Sequence, residues 1–202
     1  MSSNEESPFR PQLVMRRDDL DGLPAVSLPE GYIIRSYEPG DDAAWNRIIW
    51  EAFQEDNRER DFERTMRQNE AFQPDRVLFV CKGEETVATA SAWNSSRLAP
   101  EVGILHYVGT LLAERGRGLG LQVSLACLHK MISEGRRMAV LQTDDFRIPA
   151  IKTYLKLGFR PMLVHENQRK RWRDVFEQMG RPYLIERFDG FLSGPPARLY
   201  PE

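Results

Sequence analysis

Histidine and cysteine are scarce in this 202-residue chain, with three of the first and two of the second. The histidines are scattered and the cysteines unpaired, so no metal-ligand spacing can be assembled and no metal is expected. Cys81 and Cys127 lie in the apolar runs VLFVCK and VSLACLHK, which suits buried free thiols in a reducing compartment. Excess charge is missing too. Lys and Arg number 28 against 30 Asp and Glu, a formal net charge of -2, which gives no general reason to expect nucleic acid or an anionic membrane. No apolar run approaches transmembrane length, and the opening MSSNEESPFRPQL has no apolar signal core. A cytoplasmic protein is expected. There is no internal repeat and no low-complexity segment.

What is present is ordinary globular material: 41% hydrophobic and 29% charged residues, in a length that suits one domain with extensions. Residues 1–30 carry Pro8, Pro11, Pro24 and Pro29 with little periodicity and read as an extended N-terminal arm on the surface. Folding is expected to begin at the strand-like run from Gly31 to Tyr37, closed by Pro39-Gly40. Asp41 or Asp42 can cap a helix with the stripe Trp45, Ile48, Ile49, Ala52 and Phe53. The charged stretch from Glu55 to Asn69 predicts a second, loosely packed helix. RVLFVCK and TVATASAWN then predict a hairpin around Gly83-Glu84-Glu85. A further strand follows over Gly103 to Leu112, then a helix carrying Leu121, Leu125, Leu128 and Ile132, a strand over Met138 to Gln142, and a helix from Pro149 to Leu157. A core domain over 31–165 is followed by a tail, 166–202, read as a helix packed on the domain. The element order predicts an α/β (α+β) sandwich with a mixed, mostly antiparallel sheet.

The stretch ERGRGLGLQ, Glu114 to Gln122, concentrates glycine where a strand gives way to a helix. A dinucleotide fingerprint would need a glycine where Leu121 stands, and a phosphate-binding P-loop would need Gly-Lys-Ser/Thr, which is missing. What remains is R-x-x-G-x-G over Arg115, Gly118 and Gly120. The first free amides of a helix point outward and carry partial positive charge. Glycines at 116, 118 and 120 leave room for an anion against the backbone, and Arg115 and Arg117 add cationic side chains. A tight turn that needs glycine only for its dihedrals is the competing reading.

This motif resembles the central signature of the GNAT superfamily of acyl-CoA-dependent N-acetyltransferases. A second family block, Ala-x-x-x-Tyr-x-x-x-Gly-Phe, is matched by Ala150, Tyr154, Gly158 and Phe159. The run LPEGYIIRSYEPGD, residues 28–41, is similar to the mycothiol synthase-like branch. The resemblance implies an acyl-CoA N-acyltransferase fold, with helices on both faces of a sheet that splays between its fourth and fifth strands. It implies acetyl-CoA as co-substrate, with backbone of Val108, Gly109 and Thr110 beside the pantetheine. Arg115, Gly116, Arg117, Gly118, Leu119, Gly120 and Leu121 would hold the pyrophosphate. Relatives often carry Asn where Arg147 stands; Asp144 and Asp145 are the nearby substitutes, Asp145 among the expected cofactor contacts.

Acetyl transfer from a thioester to an amine needs a proton acceptor, oxyanion stabilisation and a proton for the departing thiolate. Direct attack needs no enzyme nucleophile, so the lack of a Ser-His-Asp or Cys-His pattern is no objection. The resemblance makes Tyr154 the acid and a second contact to the cofactor. His106 is the candidate base: on a regular strand it shares a face with Val108 and Thr110, and an imidazole suits proton removal at neutral pH. Asp144, Asp145, Glu101 or a water chain are alternatives. His129 and His165 read as packing or surface residues, Trp45 and Trp50 as core or substrate wall, and the run from Arg169 to Arg173 as a solvated helix face. A small-molecule or peptide primary amine is the expected acceptor, with its identity open, and a homodimer through arm and tail stays open as well. The rivals are a non-catalytic acyl-CoA sensor and an enzyme that transfers a longer acyl group.

Overall fold

The computed structural model describes residues 10–54 and 60–200. The first nine residues of the arm, and residues 55–59 of the expected second helix, lie outside the described residues. The strands are β1 (Leu13–Arg17), β2 (Tyr32–Ser36), β3 (Val77–Lys82), β4 (Glu85–Trp93), β5 (Val102–Thr110), β6 (Met138–Thr143) and β7 (Arg160–Met162). The helices are α1 (Asp42–Ala52), α2 (Leu119–Ser133), α3 (Ile148–Lys156), α4 (Asn167–Gln178), α5 (Tyr183–Arg187) and α6 (Asp189–Leu192). One 7-stranded sheet runs β2-β3-β4-β5-β6-β1-β7. Every neighbouring pair is antiparallel except β5 and β6.

Two glycines of β5 show how the layers form. The register pairs Leu105 with Ala92 and Gly109 with Thr89, which puts residues 103 and 109 on opposite faces of the strand. A Cβ at Gly109 would lie 3.1 Å from Ile48 and Ile49 and 3.2 Å from Ala52, so α1 packs on that face as closely as glycine permits. A Cβ at Gly103 would lie 2.5 Å from the Met131 sulfur, so α2 packs as closely on the other. The helices bury Trp45, Ile48 and Ile49 on one side and Val123, Cys127 and Met131 on the other. Trp50 (69% exposed) and Ile132 (41%) face outward instead; the buried stripe of α2 is turned from the expected one toward Leu119, Val123 and Cys127.

The stretch read as an arm is more than an arm. Leu13, Val14 and Met15 are fully buried in β1, which is inserted between β6 and β7 with Leu13 opposite Thr143 and Val14 opposite Met162. α4 holds its entry: Arg171 Nη1 donates to the Pro11 carbonyl and Gln168 Nε2 to that of Gln12, each at 2.7 Å. Beyond β1 the chain crosses α2, where His129 Nε2 lies 2.8 Å from the Pro24 carbonyl. Because β1 comes first in the chain, the strands expected as fourth and fifth are β5 and β6.

The LPEGYIIRSYEPGD run becomes a strand with a latch. Asp41 stands at the N-cap of α1 but makes no cap bond; its carboxylate takes the fork of Arg35 at 2.6 and 2.8 Å and the Glu38 amide at 2.7 Å. Arg35 thereby holds the Asp41 carboxyl below its ordinary range against the opposing effect of burial. Of the charged segment after α1, only Glu63–Arg67 forms a helical turn, of π type, among the described residues. The tail forms α4, α5 and α6; α4 buries Trp172, Val175 and Phe176. Its basic run is largely matched internally, Arg169 to Glu166, Lys170 to Asp174 and Arg171 to Asp145.

Candidate active site

β5 and β6 pair only from Val102 to Ile104, opposite Met138 to Val140. Past that point β5 stays with β4 and β6 stays with β1, so the sheet opens. A cavity of about 1300 Å3 fills the opening, lined by β5 from Ile104 to Thr110, by Gln142 and Thr143 of β6, and by α3.

A bulge shapes the β5 wall. Thr89 faces Gly109 but Ser91 faces His106, so Tyr107 and Val108 together oppose Ala90. Tyr107 takes a left-handed φ of 45°, a conformation that costs an aromatic residue on the order of 1–3 kcal/mol. The extra residue reverses the alternation. His106 therefore falls on the α1 face with Gly109 rather than with Thr110, which corrects the regular-strand expectation. Its ring reaches the cavity between Trp93 (centroids 5.8 Å apart) and Tyr107 (4.1 Å). Burial, reinforced by the Arg60 charge, pushes its pKa down to about 4, so the imidazole is neutral at neutral pH.

The glycine stretch forms the other end of the cavity. Among the described residues, the amides of residues 116–121 donate to no acceptor; the first bond of the helix is Gln122 to the Gly118 carbonyl at 3.1 Å. Gly116 (φ 83°) and Gly118 (φ 78°) need glycine for their backbone conformation. Gly120 does not. Its φ is helical and a Cβ there would meet only Thr110 Oγ1, at an ordinary 3.5 Å, so the space over it is left for something outside the chain. Arg115 lines this end and pairs with no carboxylate among the described residues. Arg117 does not line it: its Nε lies 2.9 Å from Glu114, which also accepts from Tyr32 Oη at 2.5 Å and Lys82 Nζ at 2.9 Å. The Tyr32 and Lys82 bonds hold the Glu114 carboxyl below its ordinary range.

Tyr154, on α3, faces the cavity and is 7% exposed. Burial pushes its phenol up to about 12, moderated by the Arg147 charge. Arg147 stretches across the opening: Nε donates to Asp144 at 3.0 Å, Nη1 to the Ala52 carbonyl at 3.3 Å, and the guanidinium lies 3.9 Å from the Phe53 ring centroid. Gln12, just before β1, holds the other oxygen of Asp144 at 3.2 Å. Asp145, expected as a cofactor contact, has a partner within the chain. Its carboxylate takes the Arg171 fork at 2.9 and 2.6 Å, which holds it below the ordinary range against burial, and it does not line the cavity. Beyond His106 the cavity wall is polar, with Arg60, Gln68, Asn69, Glu70, Ser95 and Arg97. Tyr200 closes this end, the Arg97 guanidinium 4.4 Å from its ring centroid. The sequence carried no signal for this group, since nothing local links residues 60–71, 93–97 and 200. Among the described residues no group of acidic, histidine or cysteine side chains could hold a metal ion, and no helix is long and apolar enough to cross a membrane.

Residues 43–159 match the family model described as the acetyltransferase (GNAT) family. The chain belongs to this family. Mycothiol acetyltransferases are similar to it: that of Streptomyces scabiei is 33% identical over 159 residues, 75% of this chain and 50% of the relative. That of Actinosynnema mirum is 34% identical over 152 residues, 72% of this chain and 50% of the relative. The chain thus spans about half the length of the curated relatives it matches. A GCN5-related N-acetyltransferase from Sphaerobacter thermophilus has the same fold, with a TM-score of 0.59 and 24% identity over 75% of this chain and 49% of that one. A GNAT fold with its splayed sheet is therefore the architecture.

Proposed function

We propose that this GNAT chain transfers the acetyl group of acetyl-CoA to the primary amine of a small polar molecule. The observation that carries the reading is the unfilled space over Gly120 beneath six amides without partners, at one end of the cavity that passes Tyr154 and His106. A helix N-terminus whose amides, like the Arg115 guanidinium, have no partner among the described residues suits a pyrophosphate. A volume of about 1300 Å3 exceeds the roughly 300–1,000 Å3 of a site for one ligand, which leaves room for donor and acceptor together.

The residues divide the work by position. The amine nitrogen bonds to the acetyl carbon, the carbon–sulfur bond breaks, and the amine's proton must leave. His106, neutral at neutral pH, offers a free ring nitrogen to the amine N–H on the acceptor side; with its pKa down to about 4 it passes the proton on rather than holding it. Tyr154 stays protonated across the physiological range and donates a hydrogen bond to the sulfur as its charge develops. With its phenol near 12 against about 8.5 for an ordinary thiol, full transfer alone would cost about 5 kcal/mol. The proton released by the amine closes that gap. Val108 to Thr110 flank the donor's path. The polar far wall favours a small polar amine over a peptide, and the name of the relatives, mycothiol acetyltransferase, supports a small molecule as well.

The test is acetyl-CoA-dependent release of CoA thiol with a panel of small amines and peptides. Tyr154→Phe and His106→Ala should each keep acetyl-CoA affinity and lose turnover by about 10²-fold or more. Binding of acetyl-CoA without turnover on any amine would point instead to an acyl-CoA sensor.

A further inference from the structure

A second cavity, of about 320 Å3, lies where the end of α3, β7 and α5 meet. Its wall includes Lys156, Arg160, Arg181 and Arg187, and no carboxylate among the described residues. Arg160 is matched by Asp18, at 2.6 and 2.9 Å, and lies 3.7 Å from the Phe191 ring centroid. Lys156, Arg181 and Arg187 make no ion pair with any described residue; Arg187 only approaches the Phe188 ring, at 5.4 Å. Glu186, next to Arg187, does not line the cavity. The neighbouring basic run of α4 shows the contrast, with Arg169, Lys170 and Arg171 each on a carboxylate. Three cations around one concavity without an ion pair among the described residues, in a chain of formal net charge -2, leave a local positive field.

These cations stand on packed elements. Phe159, Leu184 and Phe188 are buried beneath them, and the Arg181 amide is bonded to the Phe176 carbonyl at 2.9 Å. The remaining wall offers an aromatic surface, Tyr183, which is 57% exposed. We propose that this cavity binds a small aromatic phosphate monoester, with the phosphate among Lys156, Arg181 and Arg187 and the ring against Tyr183. A phosphate monoester is close to a dianion at neutral pH and presents three acceptor oxygens, which several convergent cations can share; a single-charge anion cannot satisfy them. The volume, at the lower end of ligand sites, admits one ring and one phosphate. Lys156 also lines the larger cavity, so the two sites share a wall two residues beyond Tyr154.

The test is calorimetric titration of the full chain with phenyl phosphate, with and without saturating CoA, and with phenyl sulfate as the monoanionic comparison. One phenyl phosphate per chain should bind in the presence of CoA, at least tenfold tighter than phenyl sulfate. Arg181→Gln combined with Arg187→Gln should weaken it at least tenfold while the melting temperature and acetyl-CoA affinity stay unchanged. Loss of phenyl phosphate binding on adding CoA would place the anion in the glycine cradle and overturn the proposal. Equal affinity for the sulfate, wild-type binding by the double variant, or no binding at all would overturn it as well. Were CoA itself not to bind, the acetyltransferase reading would fail, yet the dependence on Arg181 and Arg187 would still decide this site.

Discussion

The Tyr32 phenol donates to the Glu114 carboxylate at 2.5 Å, and so ties the entry of β2 to the loop that opens α2. Lys82 from β3 and Arg117 from the loop itself complete the carboxylate's partners. A negative side chain beside the proposed pyrophosphate site is tolerable because it arrives already matched and serves to hold the loop. Glu114→Gln should weaken acetyl-CoA binding about tenfold with little change in turnover at saturation. The split between KM and kcat checks it. Since Glu114 is held below its ordinary range, the latch is present above that range and is lost as pH falls through the lowered value.

Gly118 and Gly120 should separate fold from binding. Gly118→Ala forces a Cβ into a φ of 78° and should cost about 1–2 kcal/mol, a fall of a few degrees in melting temperature. Gly120→Val should melt close to the parent and lose acetyl-CoA affinity at least tenfold, because its side chain enters space that the protein leaves open. Thermal melts with and without acetyl-CoA give both readings.

His106 should titrate near 4 by NMR of its ring protons, well under an ordinary histidine at about 6.5. The unfolded chain then binds more protons between these values, so this residue lowers stability as pH falls from about 6.5 toward 4. Arg60→Gln should move the titration upward, since the Arg60 charge is one of the two causes of the depression. A ring that titrates at an ordinary value would contradict the walled-in placement.

Gly109→Ala would put a methyl 3.1–3.2 Å from Ile48, Ile49 and Ala52. Overpacking of this kind costs typically 1–3 kcal/mol. The expected result is a lower urea midpoint, together with weaker acetyl-CoA binding if α1 shifts the bulged wall. Chemical denaturation at constant slope tests the first part.

Local patterns were readable in the sequence where neighbours in the chain are neighbours in space. The stripe Trp45, Ile48 and Ile49, the hairpin around Gly83 and the R-x-x-G-x-G turn are of this kind, and each has its expected element. β1 was not readable, because five residues, LVMRR, show too little alternation and their partners lie far along the chain. The face of His106 was missed because a bulge at Tyr107 leaves no mark on the residue pattern while reversing every position before it. Asp145 is expected at the cofactor only as a chain neighbour of the position where relatives carry Asn, whereas its partner, Arg171, comes from α4. The polar end of the cavity depends on segments that no local rule connects.

The place of β1 in the sheet also sets an order of assembly. Leu13 precedes the residues of every other strand, yet it pairs with Thr143, and Val14 pairs with Met162. Until β6 and β7 have been made, β1 has no partner. Closing so long a loop is slow compared with forming the hairpins between β2 and β5. The nascent chain should therefore carry a preformed half-sheet, with its glycine cradle in place, well before the cleft has a second wall.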